Sequence, residues 1–260
     1  MALKNQLKEW VIGMRMFLLA DASFLIRFFY ANMWKPKPNS LAQILDQFSK
    51  SKKDVFCVQV GSNDGFQHDP LCKFIKRDRW KGVLLEPQKH AFEKLQYIYK
   101  SDSVKPLNKA LDKIDEQRKL FKVAFSNARW ATGLSSFNES QIRAMVDSGH
   151  IARQCAKAGI TPPENPDDYI THDLVDCVSF DTLIQQNQIE RIDLIHIDTE
   201  GYDYEILKLF PFQQFRPQVV IFEHSHLKEE EKQAAKQLLE EKGYQLQSFG
   251  ADTVGLLNVT

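Results

Sequence analysis

The stretch that decides the fold is VFCVQVGSNDG, residues 55–65. Its first six residues are apolar apart from Gln59 and lead directly into a glycine-bounded turn, which is typical of a buried parallel strand followed by a loop. A second apolar run, from Gly82 to Glu86, follows a helical stretch and ends at Pro87. Strand and helix patterns continue to alternate, which predicts an α/β protein with a doubly wound, mostly parallel sheet.

The second half of the chain carries the remaining strands of this sheet. Residues 192–198 and 219–223 are apolar runs with acidic ends, as expected for interior parallel strands. A helical pattern over 228–242 ends at a glycine. Segments 244–249 and 254–259 then predict an antiparallel C-terminal hairpin.

Composition narrows the classes of function. Basic and acidic residues number 34 each, so no overall field attracts nucleic acid, and we expect no nucleic-acid partner. The four cysteines are widely spaced and form no C-x-x-C pair, which disfavours a cysteine zinc site and a disulfide framework. We therefore expect reduced thiols and a cytoplasmic protein.

Residues 1–50 form a predicted helical appendage to a domain that spans residues 51–260. Residues 10–34 are rich in Met, Phe, Leu and Trp, but charges interrupt them before they reach the ~20 apolar residues of a membrane-spanning helix. No signal-peptide cleavage pattern follows. The segment predicts an amphipathic helix or helix pair. It could pack on the main domain, join a homodimer through residues 1–34, or lie peripherally on a membrane.

The middle of the chain interrupts the α/β rhythm. Residues 104–111, 119–125 and 175–180 are predicted strands. The segment from about 128 to 173 instead carries turn residues, a helical stretch over 141–158 and several prolines. Because a long insertion in a compact domain is commonly functional, we interpret it as a lid over the substrate.

The loop 61–65 and the next strand end predict a nucleoside-containing cofactor. Gly61 and Gly65 allow the backbone to approach a ligand, and Glu86 is placed to accept hydrogen bonds from ribose hydroxyls. The loop departs from a dinucleotide fingerprint at Asn63, and Asp64 would oppose a pyrophosphate. S-adenosylmethionine carries an ammonium, a sulfonium and no phosphate, so we expect it in place of NAD.

Acidic residues and histidines crowd the ends of two later strands. Asp198 and Glu200 follow one, and Glu223, His224 and His226 end the next. Because parallel strands place their ligands at their carboxyl ends, we expect these groups to converge. Asp198, Glu223 and His224 are candidate catalytic residues, and Asp198, Glu200, His224 and His226 are candidate ligands of a divalent metal. The residues alone leave base and ligand open, and Asp198 could also contact the cofactor's amino group.

Structural roles compete with functional ones in this region. Thr199 or Asp203 could cap the following helix, and His196 could be a hydrogen-bonded core residue.

Several of these motifs together resemble the FkbM-type methyltransferases, over about residues 54–225. The matching segments are 58–65, 69–71, 86–87, 108–110, 135–136, 180–183 and 192–206, of which IDTEGYD at 197–203 is the most specific. The resemblance implies a class I, Rossmann-like methyltransferase that uses S-adenosylmethionine, and usually methylates a hydroxyl of a sugar, glycan or natural product. The implied cofactor contacts are Gln59, Gly61, Asn63, Asp64, Gly65, Glu86, Pro87, Asn108, Ala110 and Asp198. Many members carry Asp where this chain has Gln59.

Two other functions are compatible with parts of the pattern. One is an NAD(P)-dependent sugar-modifying enzyme, which Asn63 and Asp64 disfavour. The other is a non-catalytic, membrane-associated nucleoside-binding module that residues 1–34 would tether.

Overall fold

The computed structural model describes residues 2–21 and 23–257. Its helices are α1 Ala2–Ala20, α2 Ser23–Asn32, α3 Leu41–Ser51, α4 Cys72–Asp78, α5 Lys89–Ile98, α6 Arg129–Thr132, α7 Glu139–Asp147, α8 His150–Ala158, α9 Phe180–Asn187, α10 Asp203–Leu209 and α11 Glu229–Glu241. Its strands are β1 Phe56–Val60, β2 Lys81–Leu85, β3 Val104–Leu107, β4 Ala110–Leu111, β5 Gln117–Val123, β6 Ile170–Val178, β7 Leu194–Ile197, β8 Val219–Glu223, β9 Gln245–Phe249 and β10 Asp252–Leu256.

Seven strands form the main sheet, in the order β3-β2-β1-β7-β8-β10-β9. The first five of these pair in parallel, and β10 inserts antiparallel between β8 and β9. The predicted doubly wound, mostly parallel sheet with an antiparallel C-terminal hairpin is therefore confirmed. The hairpin ends earlier than expected at Leu256, and the rest of the prediction, residues 258–259, lies outside the described residues.

The sheet has a hydrophobic core on each face, because side chains alternate along its strands. In β1, Val58 and Val60 point into a core with helices α9, α10 and α11, whereas Cys57 points into a second core with α3, α4 and α5. The chain order reverses between β1 and β7, which creates the crevice where open α/β sheets bind ligands.

A second, three-stranded sheet has the order β4-β6-β5. The expected single strand over 104–111 is thus two strands in different sheets. Asn108 lies at the break, and its side-chain amide donates to the carbonyl of Glu86. Strand β6 begins earlier than predicted, at Ile170, and α9 is capped by Ser179.

The predicted lid segment 128–173 contains α6, α7, α8, a 3-10 turn at Pro166–Tyr169 and the start of β6. It has a small core of its own, which includes Ala131, Ile142 and Ile151.

The N-terminal segment is a pair of helices. Leu19 of α1 and Tyr30 of α2 are buried, so one face of each helix packs on the body of the protein. Ser40 then caps α3 as expected, because its hydroxyl accepts from the backbone N–H of Gln43. Among the helices that the structure describes, none combines the length and apolarity that crossing a membrane requires.

Candidate active site and cofactor cleft

A cleft opens at the carboxyl ends of β1, β2 and β7. The lining comes from three regions of the chain: the strand ends at Val60, Gly61, Asn63, Glu86, Pro87 and Gln88; the segment Lys109, Ala110, Leu111 and Leu120 with the lid residues Arg129, Thr132, Ser135, Ser136 and Phe137; and Asp198, Thr199, Glu200 and Tyr202.

Both glycines of the loop 61–65 have a role in packing within the protein. Gly61 has a positive φ of 82°, and a Cβ at this position would lie 1.8 Å from the carbonyl oxygen of Asp198. Gly65 also has a positive φ, but it faces α5, where Tyr99 donates a hydrogen bond to its carbonyl. Gly61 thus permits the close approach of β1 and β7, and Gly65 permits the approach of α5.

Asn63 and Glu86 are joined directly across the cleft wall. The backbone N–H of Asn63 donates to Glu86 Oε2 at 2.8 Å, and that of Gln88 donates to Oε1 at 2.8 Å. Each oxygen retains acceptor capacity for a further donor. Burial raises the pKa of Glu86 to about 7, although both backbone hydrogen bonds oppose the shift.

Three of the predicted cofactor contacts do not line the cleft. Their side chains instead form hydrogen bonds within the loop or between neighbouring strands. The Asp64 carboxylate accepts from the backbone N–H groups of Phe66 and Gln67, which closes its own turn. Gln59 is buried and lies 3.1 Å from the ring of His196, so His196 is a hydrogen-bonded core residue. Asn108, as described above, ties strand ends together.

The lid segment contributes residues to the cleft besides the predicted cofactor contacts. Gln88 donates to the carbonyl of Thr132 at 2.7 Å and to Ser135 Oγ at 3.1 Å. The Thr132 hydroxyl lies 3.3 Å from Asn63 Oδ1. The segment therefore contacts both the glycine loop and the chain after β2.

Arg129 is a half-buried cation between two cavities. It lines the cleft and also a larger, open cavity beside it. Its Nε has no hydrogen-bond partner among the described residues. An orphaned buried donor of this kind favours an anionic ligand group.

Four carboxylates crowd the ends of β7 and β8. Burial raises the pKa of Asp198 and of Glu223, and it raises the pKa of Glu200 to about 9, with the negative charges of Asp198 and Glu223 contributing. Burial likewise raises the pKa of Asp203 to about 8. The Arg129 guanidinium opposes this shift at Asp198, Glu200 and Glu223.

The two histidines that follow β8 lie in different surroundings. His226 Nε2 is 3.1 Å from Glu200 Oε2 and 3.6 Å from Glu223 Oε1. His224 points elsewhere, and its Nδ1 lies 3.0 Å from the Thr253 hydroxyl. Burial lowers the pKa of His226, which favours a neutral imidazole. The structure thus brings Asp198, Glu200, Glu223 and His226 together and leaves His224 outside the cluster.

Asp203 organises the loop that carries Glu200. Its carboxylate accepts from the Thr199 hydroxyl at 3.0 Å and from the Gly201 N–H at 3.2 Å. The intervening Glu200 has a positive φ of 54°, which is uncommon for a residue with a side chain. Asp203, at the start of α10, therefore stabilises this loop and fixes the direction of the Glu200 side chain.

The strand order, the glycine loop and the strand-terminal Glu86 define a class I methyltransferase fold with a nucleoside-binding cleft. The model of the methyltransferase FkbM domain matches residues 59–246, and the chain belongs to this family. It is accordingly a methyltransferase that uses S-adenosylmethionine as methyl donor, and the nicotinamide alternative is set aside. Comparison with curated proteins gave no significant match.

Several solved structures show a distant likeness. A methyltransferase from Pyrococcus furiosus is 11% identical, with 94% of this chain and 100% of that chain covered and a TM-score of 0.38. The N-terminal domain of human METTL16, solved with SAH, is 9% identical, with coverage of 87% and 73% and a TM-score of 0.41. Precorrin-6y C5,15-methyltransferase from Geobacter metallireducens is 9% identical, with coverage of 86% and 93% and a TM-score of 0.39. The assignment rests on the family match and the strand order.

Proposed function

We propose that this enzyme transfers a methyl group to a hydroxyl oxygen of a sugar, a glycan or a hydroxylated natural product. The observation that carries the proposal is the contact between His226 and Glu200 at the boundary of the two cavities. Glu200 lines both cavities and His226 lines the larger one. A group that can take up a proton therefore lies between the cleft for the cofactor and the cavity for the methyl acceptor.

The cleft suits the three parts of S-adenosylmethionine. Apolar side chains at Leu111, Leu120 and Phe137 offer a surface for the adenine. Glu86 is placed to accept from the ribose hydroxyls. Asn63, Asp198 and Arg129 surround the remaining space and suit the charged methionyl part, with Arg129 facing its carboxylate and Asp198 its ammonium.

Bound S-adenosylmethionine supplies a methyl group on a positively charged sulfur. A hydroxyl that accepts this methyl group must lose its proton, and a hydroxyl is a poor nucleophile at neutral pH. His226 takes the proton on its imidazole, and Glu200 and Glu223 stabilise the resulting cation, because the positively charged donor favours the ionised forms of both. The protein's further contribution is to hold donor and acceptor in line where the two cavities meet.

The larger cavity suits an acceptor rich in hydroxyl groups. Polar side chains on its wall include Gln67, His68, Asn127, His150 and Gln154. Amide and imidazole groups both donate and accept hydrogen bonds, which is the requirement for recognising a sugar. The lid residues Trp130 and Leu134 add an apolar surface to the same wall.

The cluster also offers a divalent metal a set of ligands. One ligand atom from each of Glu200, Glu223 and His226 can be chosen so that all lie within 4.8 Å of one another. We favour the base, because His226 already lies at hydrogen-bond distance from Glu200 and because the Arg129 guanidinium supplies positive charge to these carboxylates. A chelator distinguishes the two roles.

The test is a labelled-donor screen. The full chain is incubated with S-adenosylmethionine bearing a deuterated methyl group and with glycan, lipid and small-molecule extracts, and products are analysed by mass spectrometry. We expect label on an oxygen of a hydroxyl-bearing product. Label confined to nitrogen or carbon atoms would refute O-methylation, even though the enzyme would remain a methyltransferase.

A further inference from the structure

The helix α1 carries an apolar stripe that faces away from the rest of the molecule. The stripe consists of Leu7, Trp10, Val11, Met14 and Phe17, which recur every three or four residues and therefore share a helix face. Trp10 is 62% exposed. The opposite face of the same helix, at Ile12, Met16 and Leu19, packs into the core. The helix is thus apolar on two opposed faces, and one of them is uncovered.

The helix α2 repeats this arrangement. Phe24, Leu25, Phe28 and Phe29 are exposed, whereas Tyr30 is buried. Phe24 is 74% exposed, and Met33 follows the helix with its side chain exposed as well. Ten of the thirteen large hydrophobic side chains found exposed in the described part of the chain lie between residues 7 and 33. An apolar patch of this extent marks an interaction surface.

The charge of the same segment is unlike that of the whole chain. Residues 1–37 contain six basic and two acidic residues, whereas the complete sequence is balanced. The acidic Asp21 is already engaged by Lys100 and Tyr97 of the body. Lys35 and Lys37 are exposed, and neither forms an ion pair with any described residue. The segment that carries the exposed apolar residues therefore has a net positive charge, and two of its lysines are exposed and unpaired within the described part of the chain.

We infer that α1 and α2 dock on the surface of an anionic lipid bilayer. Neither helix meets the requirements for spanning a membrane, so both would lie in the plane of the interface with the stripe facing the acyl chains. The aromatic residues of the stripe, Trp10 among them, are types that favour the interface. The basic residues would be attracted by the negative surface potential of the lipid headgroups.

A second copy of the chain is a poorer occupant of this face. A two-fold dimer would bring the stripe against the same stripe of its partner, together with two copies of the positively charged segment. Like charges in such an interface repel one another, whereas anionic headgroups neutralise them. The charge of residues 1–37 thus distinguishes the bilayer from the dimer.

Docking would also bring the larger cavity close to the membrane. Ile12, from the inward face of α1, lines that cavity together with lid residues. The inference about docking nevertheless stands on the stripe and its charge, so it survives if the acceptor proves not to be a hydroxyl compound.

The test uses flotation of the full chain with lipid vesicles. One set contains phosphatidylcholine alone and the other adds about 30% phosphatidylglycerol. We expect the protein to float with the anionic vesicles at low salt, and less at high salt. The variant F24Q/F28Q should lower the partition coefficient about tenfold or more, because two aromatic side chains leave the interface. The matched control I114Q/L174Q alters two exposed hydrophobic residues elsewhere and should float like the wild type.

Two further measurements make the outcome decisive. Binding of S-adenosylmethionine by F24Q/F28Q reports whether that variant is folded, and sedimentation velocity reports the oligomeric state. Failure of the wild type to float with anionic vesicles would overturn the inference. So would a wild-type dimer that dissociates in F24Q/F28Q without any vesicle binding, which would assign the exposed apolar faces of α1 and α2 to a second copy.

Discussion

The Nε2 atom of His226 lies 3.1 Å from a carboxylate oxygen of Glu200, although the two residues follow different strands. The pair exists because β7 and β8 are parallel neighbours whose carboxyl ends meet at one edge of the sheet. Glu200 has a positive φ, and the Asp203 carboxylate holds this conformation by accepting a hydrogen bond from the N–H of Gly201.

Glu86→Gln should weaken binding of S-adenosylmethionine about tenfold to a hundredfold, because a carboxylate accepts hydrogen bonds from the ribose hydroxyls more strongly than an amide does. Isothermal titration calorimetry measures the change. Glu93→Gln, an exposed position on α5, is the matched control and should bind normally. Equal affinity of the Glu86 variant and the wild type would remove Glu86 from the cofactor site.

Gly61→Ala should destabilise the protein by about 2–4 kcal/mol, because the added Cβ meets the carbonyl of Asp198 and the residue must keep a positive φ. Gly250→Ala is a useful comparison, because Gly250 also has a positive φ but its Cβ would meet nothing within 4 Å. Its cost should be only about 1–2 kcal/mol. Urea unfolding compares the two, and similar losses would show that backbone conformation alone explains Gly61.

The ligand-free protein should lose stability as the pH rises from about 6 to about 9. The pKa of Asp69 and of Glu86 is raised to about 7, that of Asp203 to about 8 and that of Glu200 to about 9, in each case chiefly by burial. The folded state therefore binds more protons than the unfolded state in this window, so stability falls as the pH rises until the folded carboxyls ionise. Urea unfolding at both pH values tests this. A flat profile would show that these carboxyls are ionised in the folded protein.

Affinity for S-adenosylmethionine should increase over the same pH range. In the proposed arrangement the positive charges of the cofactor would lie near Asp198 and Glu200, and its ribose hydroxyls would donate to Glu86, so binding would favour the ionised form of all three. Binding should therefore release protons. Calorimetry in buffers of different ionisation enthalpy measures them, and proton uptake would contradict this electrostatic account.

Treatment with excess chelator should leave methyl transfer unchanged, because His226 acts as a base in the proposed reaction. Re-addition of divalent cations should likewise have no effect. Transfer that is lost with chelator and recovered with a divalent metal would reassign Glu200, Glu223 and His226 as metal ligands.

The sequence predicted the sheet well, because the buried parallel strands are short apolar runs that end in glycine or acid. It could not place the lid in detail, since contacts such as Gln88 with Thr132 join residues far apart in the chain. Arg129 was missed for the same reason. Its role depends on its position between two cavities, and no local pattern signals that.

The choice between His224 and His226 shows a similar limit. The two residues lie two positions apart, and from sequence alone His224 is the catalytic candidate whereas His226 is only a possible metal ligand. Antiparallel pairing with β10 places Thr253 beside His224, whereas the turn that follows carries His226 to Glu200. Only the three-dimensional arrangement separates them. The roles of the individual cofactor and catalytic residues, and the boundary near residue 50, stay predictions.

The most direct test of the proposed reaction compares two substitutions in single-turnover methyl transfer to the acceptor that the labelled-donor screen identifies. His226→Asn should lower the rate constant about 10²- to 10⁴-fold while binding of S-adenosylmethionine is retained, because the base is lost and the cofactor cleft is intact. His224→Asn, two residues away and outside the cluster, should stay within a few-fold of the wild type. Wild-type rates in the His226 variant, or an equal loss in both, would contradict the account.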